Sequence, residues 1–542
     1  MRREKRAPRP DLKSRIEKLG FSFHTVSGQP YWNETACYEF TAREVSLLES
    51  ATNELHEMCL EAVAYVLKEK RLADFGIPQR AHGAIQRSFR SNPPTLYGRF
   101  DLAYDGEGCL KLLEYNADTP TSLLESAVIQ WHWLQDIDPE LDQFNAIWDR
   151  LIETWSCYKA GLELKSNRVH FACVDCDEDR MTTAVMMDTA QEAGLEISFL
   201  YMGEIGWHPV ERCFVDRGHQ PIKTIFKLYP WEWLLADKFG IRALKHLHDV
   251  QWIEPIWKMV LSNKAILAVL WEIFPNHPYL LAAYLDGPRD MQAYVRKPLL
   301  GREGANVTIY DGERSIAVDG PYTEGPFVYQ AYQPLPVIDG NHVLIGSWTV
   351  NGHSCGMGIR ESNGPITEDL ARFVPHYFKP EPRTTTMMNV AVYPIAPMRI
   401  AMMLYYGSYD QISPVFDRLF EWVASQNVPV TRTIGIYWDN PDYVPLTNSD
   451  PPPVWKYPKA LPLQIQMASR SKRERSQAEN MRLPATSALT KVYGPVWSNF
   501  TNYIEQTLRR RISSNPAFEV YVNDPSNTPP NELITELYMP VA

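Results

Sequence analysis

The sequence predicts an α+β fold in two parts, and three observations carry that reading. Residues 1–378 alternate between helical and strand-like hydrophobic patterns and are rich in Trp and Leu. A break follows at Lys379-Pro380-Glu381-Pro382-Arg383-Thr384-Thr385-Thr386, whose prolines and threonines suit an extended linker over 379–387. In the second part, 388–542, a strand, Tyr-Gly turn, helix and strand occur twice in succession.

A chain of 542 residues exceeds what one compact core usually organises. Hydrophobic residues make up 45% and charged residues 22%, the balance of an ordinary globular protein. The formal charge of −11 disfavours non-specific nucleic-acid binding. No apolar run reaches the ~18 residues that span a bilayer. The basic start, Met1 to Arg6, is followed by no apolar signal core, so the cytoplasm is the expected compartment. The eight cysteines form no disulfide framework, and Cys173-x-x-Cys176 lacks the second pair or histidines of a zinc site.

The most informative element of the first part is a hairpin. "YGRFDLAY" at 97–104 alternates like a strand, "DGEG" at 105–108 supplies turn residues, and "LKLLEYN" at 110–116 is a second strand. Residues two apart in a strand share a face, so Arg99 goes with Asp101 and Glu114 with Asn116. If the strands pair, all four converge. Two carboxylates and an amide oxygen suit a hard cation such as magnesium, with phosphates and waters completing the octahedron. The Arg99 fork suits a phosphate or acyl-phosphate oxygen. Alternation alone favours a solvated hairpin face with cross-strand ion pairs, a pattern common on half-buried sheets.

Further on, Lys297 ends a strand-like "AYVRK" and precedes a loop in which Gly301 and Gly304 let backbone N–H groups approach a phosphate. This is not a Walker A loop, and on its own it reads equally as a hairpin turn. Lys264, in the helical-looking "SNKAILAVLWEIF", reads by itself as a surface lysine. In the second part, Ile412, Phe416, Leu419, Phe420 and Val423 fall at helical spacing, as do Phe500, Tyr503, Ile504 and Leu508. The basic stretch 468–476 between the repeats lacks interleaved aromatics and reads as a loop rather than a nucleic-acid site.

These residues resemble a family. "YGRFD" followed by "LLEYNADTPTS", with "YWNETACYEF", "FKLYPWEW", "IEPIWKMVLSNK", "YVRKPLLGREGANV", "FVYQA", "GIRE" and "RFVPHYF" in order across residues 12–378, is similar to the synthetase domain of glutathionylspermidine synthase and its stand-alone relatives. The resemblance implies an ATP-grasp fold holding ATP and magnesium. It implies metal ligands at Asp101, Glu114 and Asn116. It further implies nucleotide contacts at Lys264, Lys297, Gly301, Gly304, Asn306 and Gln330, and phosphoryl-steadying arginines at Arg99 and Arg360. The N-terminal amidase of bifunctional members is not expected, because the chain begins too close to the synthetase motifs.

The second part resembles the gyrase-inhibitor-like small-molecule-binding domains, through "YYGSYDQISPVFDRLFEWV", "GIYWDNPD", "KVYGPVWSNFTNYI" and "FEVYVNDPSNTPPNELITELYMPV". That likeness implies a cavity for a cationic or amphiphilic ligand. Glu519 is the candidate charge partner and Glu536 the second, with Tyr437, Trp438, Trp497 and Tyr521 as walls. No helix-turn-helix precedes it, which disfavours a transcription factor.

The expected activity is ATP- and magnesium-dependent joining of a carboxylate to an amine through an acyl phosphate; the sequence does not name either substrate, and glutathione-like and polyamine-like compounds are the candidates the resemblance offers. The alternative is a small-molecule sensor built on a degenerate synthetase scaffold. A separate hydrolase activity of the second part finds no nucleophile–base pair to support it.

Overall fold

The computed structural model describes residues 1–26, 28–368, 371–379, 433–437, 517–521 and 535–538. Residues 1–381 and 382–542 are separate compact units. The strands that frame the site in the first unit are β1 (Tyr97–Tyr104), β2 (Leu110–Asn116), β3 (Ala283–Tyr284), β4 (Tyr294–Pro298), β5 (Thr308–Tyr310), β6 (Ser315–Ala317), β7 (Phe327–Ala331), β8 (Asn341–Val350), β9 (His353–Ser362) and β10 (Arg372–Val374).

β1 and β2 form the hairpin expected from the sequence. The turn closes because Asp105 Oδ1 accepts the backbone N–H groups of Glu107, Gly108 and Cys109 at 2.7, 3.0 and 3.0 Å. This hairpin is one edge of an antiparallel sheet ordered β10–β9–β8–β1–β2. Its two faces differ sharply. Phe100, Leu102, Tyr115, Ile345, Met357 and Ile359 are buried in a core with helix α1 (Ala42–Lys68). The helix starts at a capping box between Thr41 and Glu44 and lays Leu48, Ala51 and Leu55 on the sheet. Thr52 and Ser347 join hydroxyls at 2.7 Å across that interface. The opposite face carries Arg99 and Asp101, which leaves it for chemistry.

A second antiparallel sheet runs β3–β7–β4–β5–β6. Val295 is in register with Gln330 and Lys297 with Val328, so Lys297 and Gln330 are diagonal neighbours on one face. A third sheet is parallel, ordered Gln251–Ile253, Thr224–Leu228, Arg168–Cys173 and Glu196–Tyr201. Its last two strands are joined through α2 (Asp177–Glu192). The α+β expectation fits the antiparallel sheets and omits this βαβ unit. Strands such as Arg168–Cys173 are buried nearly throughout and show no alternation by which sequence periodicity could identify them.

All eight cysteines are free: Cys173 is buried and Cys176 exposed. Among the described residues no helix is long and apolar enough to cross a membrane. In the second unit, Thr433–Tyr437, Ala517–Tyr521 and Thr535–Tyr538 form an antiparallel sheet with the middle segment central. Glu519 is in register with Gly435 and Leu537, whereas Glu536 is in register with Val520, one step out of phase with Glu519. Trp438 and Trp497, the helices of the two repeats and most of the 379–387 linker lie outside the described residues.

Candidate active site

Register alone assembles the first part of the site. Arg99 is opposite Asn116 and Asp101 opposite Glu114, so these four side chains share one face. Along the same row Asp101 is paired to Gly346 and Gly346 to Gly358. One step on, Leu344 pairs with Arg360, which puts Arg360 on this face as well. Two glycines therefore floor the space between Asp101 and Arg360. Side chains would not fit there: a Cβ at Gly346 would come within 2.9 Å of Arg99, and one at Gly358 within 2.5 Å of Ser126 Oγ.

The second sheet faces this one across a cleft. Asp101, Glu114 and Leu344 line one wall; Val295, Lys297, Ile309 and Gln330 line the other. Lys297 Nζ bridges the sheets, donating to Leu113 O at 2.9 Å and Gln330 Oε1 at 2.8 Å. Gln330 Nε2 reaches Leu112 O at 3.0 Å. Lys264 is buried rather than on the surface. It precedes the helix Ile266–Ile273, and its Nζ meets Glu114 Oε2 at 3.1 Å and Gly301 O at 2.7 Å. The apolar run places the helix; a lysine just ahead of it turns into the cleft.

Charge is concentrated here. Burial alone would raise Glu114, but Lys264 and Lys297 outweigh it and hold the carboxyl at about 2. Burial lowers Lys297 to about 8, opposed by Glu114 and reinforced by Lys264. Arg99 Nε donates to Asp101 Oδ1 at 2.8 Å and its Nη1 to Thr121 O at 2.8 Å. Asn116 Nδ2 donates to Glu114 Oε1 at 3.1 Å, a bond that does not use the Asn116 amide oxygen. Two carboxylates and an amide oxygen on one face match the hard-oxygen preference of magnesium. Among the described residues no group of three His, Cys, Asp or Glu side chains forms a metal cage, so a magnesium ion there needs further ligands from phosphates and water.

Gly301 and Gly304 line the cleft, and Gly304 has a φ of 74° with the Thr367 carbonyl 2.9 Å from where a Cβ would be. Asn306 does not line the cleft: its Oδ1 accepts the Tyr322 N–H at 2.7 Å and ties two loops together. Arg360 also stands apart from the cleft wall, donating to Glu368 O at 2.8 Å with Phe373 5.5 Å away.

Several participants were not singled out from sequence. Arg302, in the glycine loop, donates to Thr119 Oγ1 at 2.7 Å and stacks 5.3 Å from Trp233. Ser262 Oγ accepts the N–H groups of Ala117 and Asp118 at 3.0 and 2.7 Å, fixing the chain just beyond Asn116. Asp118 holds the fully buried Lys227 at 2.7 Å and the Trp231 N–H at 2.9 Å. Beyond Arg302 the surroundings turn acidic. Burial, with Glu178 adding, pushes Asp179 up to about 7 against the pull of Arg302. Glu125 is pushed up to about 7 chiefly by burial. A carboxylate inside the apolar run "SLLESAVIQW" was the available signal for Glu125.

The chain is 41% identical over 393 residues to a putative acid–amine ligase of Haemophilus influenzae, covering 69% of this chain and 98% of that protein. It is 30% identical over 344 residues to trypanothione synthetase of Crithidia fasciculata and 27% identical over 351 residues to the bifunctional glutathionylspermidine synthetase/amidase of Escherichia coli. These matches cover 58% and 60% of this chain and only 52% and 56% of those two proteins. A DNA gyrase inhibitor of Citrobacter rodentium is 25% identical over 140 residues, covering 25% of this chain and 87% of that protein. Residues 3–379 match the family described as glutathionylspermidine synthase preATP-grasp. Over that span the chain belongs to the glutathionylspermidine synthase family, whose members are ATP-dependent carbon–nitrogen ligases.

Proposed function

We propose that residues 1–379 join a carboxylate to an amine in a reaction driven by ATP, through an acyl phosphate. The observation that carries this reading is the meeting of Asp101 and Glu114 with Lys264 and Lys297 in one cleft between two sheets. Lys264 and Lys297 bind and orient the phosphates of ATP, and the Gly301–Gly304 backbone follows them over the cleft. Asp101, Glu114 and the Asn116 oxygen hold magnesium, which offsets phosphate charge when bound. Arg99 and Arg360, on the same sheet face, steady the transferring phosphoryl group. The loop carrying Arg302 excludes water, which would hydrolyse the acyl phosphate.

The carboxylates Glu125, Glu178 and Asp179, which face Arg360 and Arg302, suit an amine substrate that arrives as a cation. The relatives whose names contain glutathionylspermidine and trypanothione support thiol-peptide carboxylates and polyamines as the first compounds to test. For residues 388–542 the reading is a small-molecule-binding module with Glu519 as charge partner of a cationic ligand, and it rests on the resemblance of the sequence motifs alone.

Phosphate release from ATP in the presence of paired carboxylates and amines tests the ligase reading. Carboxylate- and amine-dependent ADP formation, lost in Glu114→Ala with the fold retained, is the expected result. A folded wild-type chain that leaves ATP intact with every pair overturns it.

A further inference from the structure

An amine that arrives as an ammonium cannot attack. It must first lose a proton, and the cleft carboxylates Asp101 and Glu114 are already engaged by Arg99 and Lys264. The search for an acceptor leads to Glu125. It lies at the start of a π-helical turn, Glu125–Ile129, within the helical segment that follows the hairpin. The next residue, Ser126, packs over Gly358, on the same sheet face as Asp101, Arg99 and Arg360. Glu125 is only 2% exposed, and its Oε1 has no hydrogen-bond partner. A buried carboxyl oxygen without a donor is costly unless something else completes it.

The charged and polar groups that face Glu125 come from three other elements. They are Glu178 on α2, Arg360 on β9 and the Tyr31 hydroxyl. Burial and Glu178 favour the neutral acid, while Tyr31 and Arg360 favour the carboxylate. The balance puts the carboxyl near neutrality, at about 7, where it both accepts and releases a proton readily. Tyr31 is itself buried and faces Ser122, Glu125, Glu178 and Arg360, so these groups form one cluster.

We propose that Glu125 is the general base that takes a proton from the substrate ammonium. This assignment rests on the ligase reading above. The ammonium gives one proton to the Glu125 carboxylate, and the freed nitrogen lone pair forms the bond to the acyl carbon. The bond from that carbon to the phosphate oxygen then breaks, and phosphate leaves with its electron pair. The second nitrogen proton departs with the phosphate, and Glu125 returns its proton to solvent. Atoms and charge balance: acyl phosphate and ammonium give amide, hydrogen phosphate and one proton.

The test uses Glu125→Gln in the full chain with two nucleophiles and a panel of carboxylates including glutathione. Hydroxylamine is largely unprotonated at neutral pH and traps the acyl phosphate as a hydroxamate without a base; spermidine is a cation and needs one. The expected result is hydroxamate formation close to wild type, which also reports an intact fold. Amide formation falls about 100-fold or more at neutral pH and recovers as rising pH frees the amine. Loss of both products together, or a variant amide pH profile parallel to wild type, overturns the base assignment and leaves the ligase reading standing. A wild-type chain that makes no hydroxamate with any carboxylate overturns the ligase reading itself, and the base assignment with it.

Discussion

Gly358 lies under Ser126 so closely that a Cβ on the glycine would stand 2.5 Å from the serine hydroxyl oxygen. The same Cβ would be 3.4 Å from the Phe373 ring and 3.6 Å from Ser126 Cβ, both tolerable. The obstruction is therefore a single oxygen atom. Gly358→Ala is expected to cost about 1–3 kcal/mol in chemical denaturation and to depress turnover by displacing the turn that carries Glu125. Adding Ser126→Ala removes the oxygen and should restore most of both. A double variant as impaired as Gly358→Ala alone would refute the contact as the cause.

Lys264 connects the face carrying Asp101 and Glu114 to the glycine loop, through Glu114 Oε2 at 3.1 Å and Gly301 O at 2.7 Å. Lys264→Met keeps length and apolar bulk but removes the charge. ATP turnover should fall by about 10²–10³-fold, the scale of losing one preorganised charge at a phosphoryl site. Nucleotide affinity measured by isothermal titration should weaken in parallel. Undiminished turnover in the folded variant would remove Lys264 from the site.

The pH dependence of stability gives Glu125 a signature independent of catalysis. Its folded value of about 7 lies above its ordinary 4.5. Below 4.5 the group is neutral in both folded and unfolded chains and costs nothing on this account. Between 4.5 and 7 the unfolded chain loses the proton first, so the wild type loses stability as pH rises, and the loss is complete above 7. Glu125→Gln cannot titrate. Its stability relative to wild type should therefore rise across that window by an amount on the order of 1–3 kcal/mol. Parallel stability curves for the two proteins would show that Glu125 is not held neutral by burial.

The hairpin was legible because β1 and β2 alternate and are joined by turn residues; from that, the shared face of Arg99, Asp101, Glu114 and Asn116 follows by geometry. Arg360 required knowledge of which strand lies beside which, since two strands, β8 and β1, lie between its own strand and that of Glu114. Lys264 looked superficial because a lysine beside an apolar helix ordinarily faces water; the cleft opposite it is made by residues far along the chain. Arg302 and Ser262 act through loops, whose partners at Thr119, Ala117 and Asp118 no periodicity encodes. The parallel sheet was missed for the opposite reason: its central strands, Arg168–Cys173 and Thr224–Leu228, are too uniformly buried to show a pattern.

Residues 1–381 form a compact unit, and every residue named in the cleft between the two antiparallel sheets lies within it. A chain ending at residue 379 is therefore expected to bind ATP with the affinity of the full-length protein. Isothermal titration of both, with circular dichroism to verify folding, makes the comparison. If the folded fragment binds no nucleotide, the second unit contributes to the site.

The second unit offers a narrower test. Glu519 occupies the central strand of its sheet, in register with Gly435 on one side and Leu537 on the other. Glu536, in register with Val520, belongs to the alternate row, so the two acids are not interchangeable. A cationic dye should bind the full chain through Glu519, and Glu519→Gln should weaken that binding by about tenfold or more, the scale of one charge pair. Glu536→Gln should leave it largely unchanged. A neutral analogue of the dye should bind wild type and Glu519→Gln alike. Equal binding of the cationic dye by wild type and Glu519→Gln would eliminate the charge-partner role. A loss in Glu536→Gln alone would move that role to the other row.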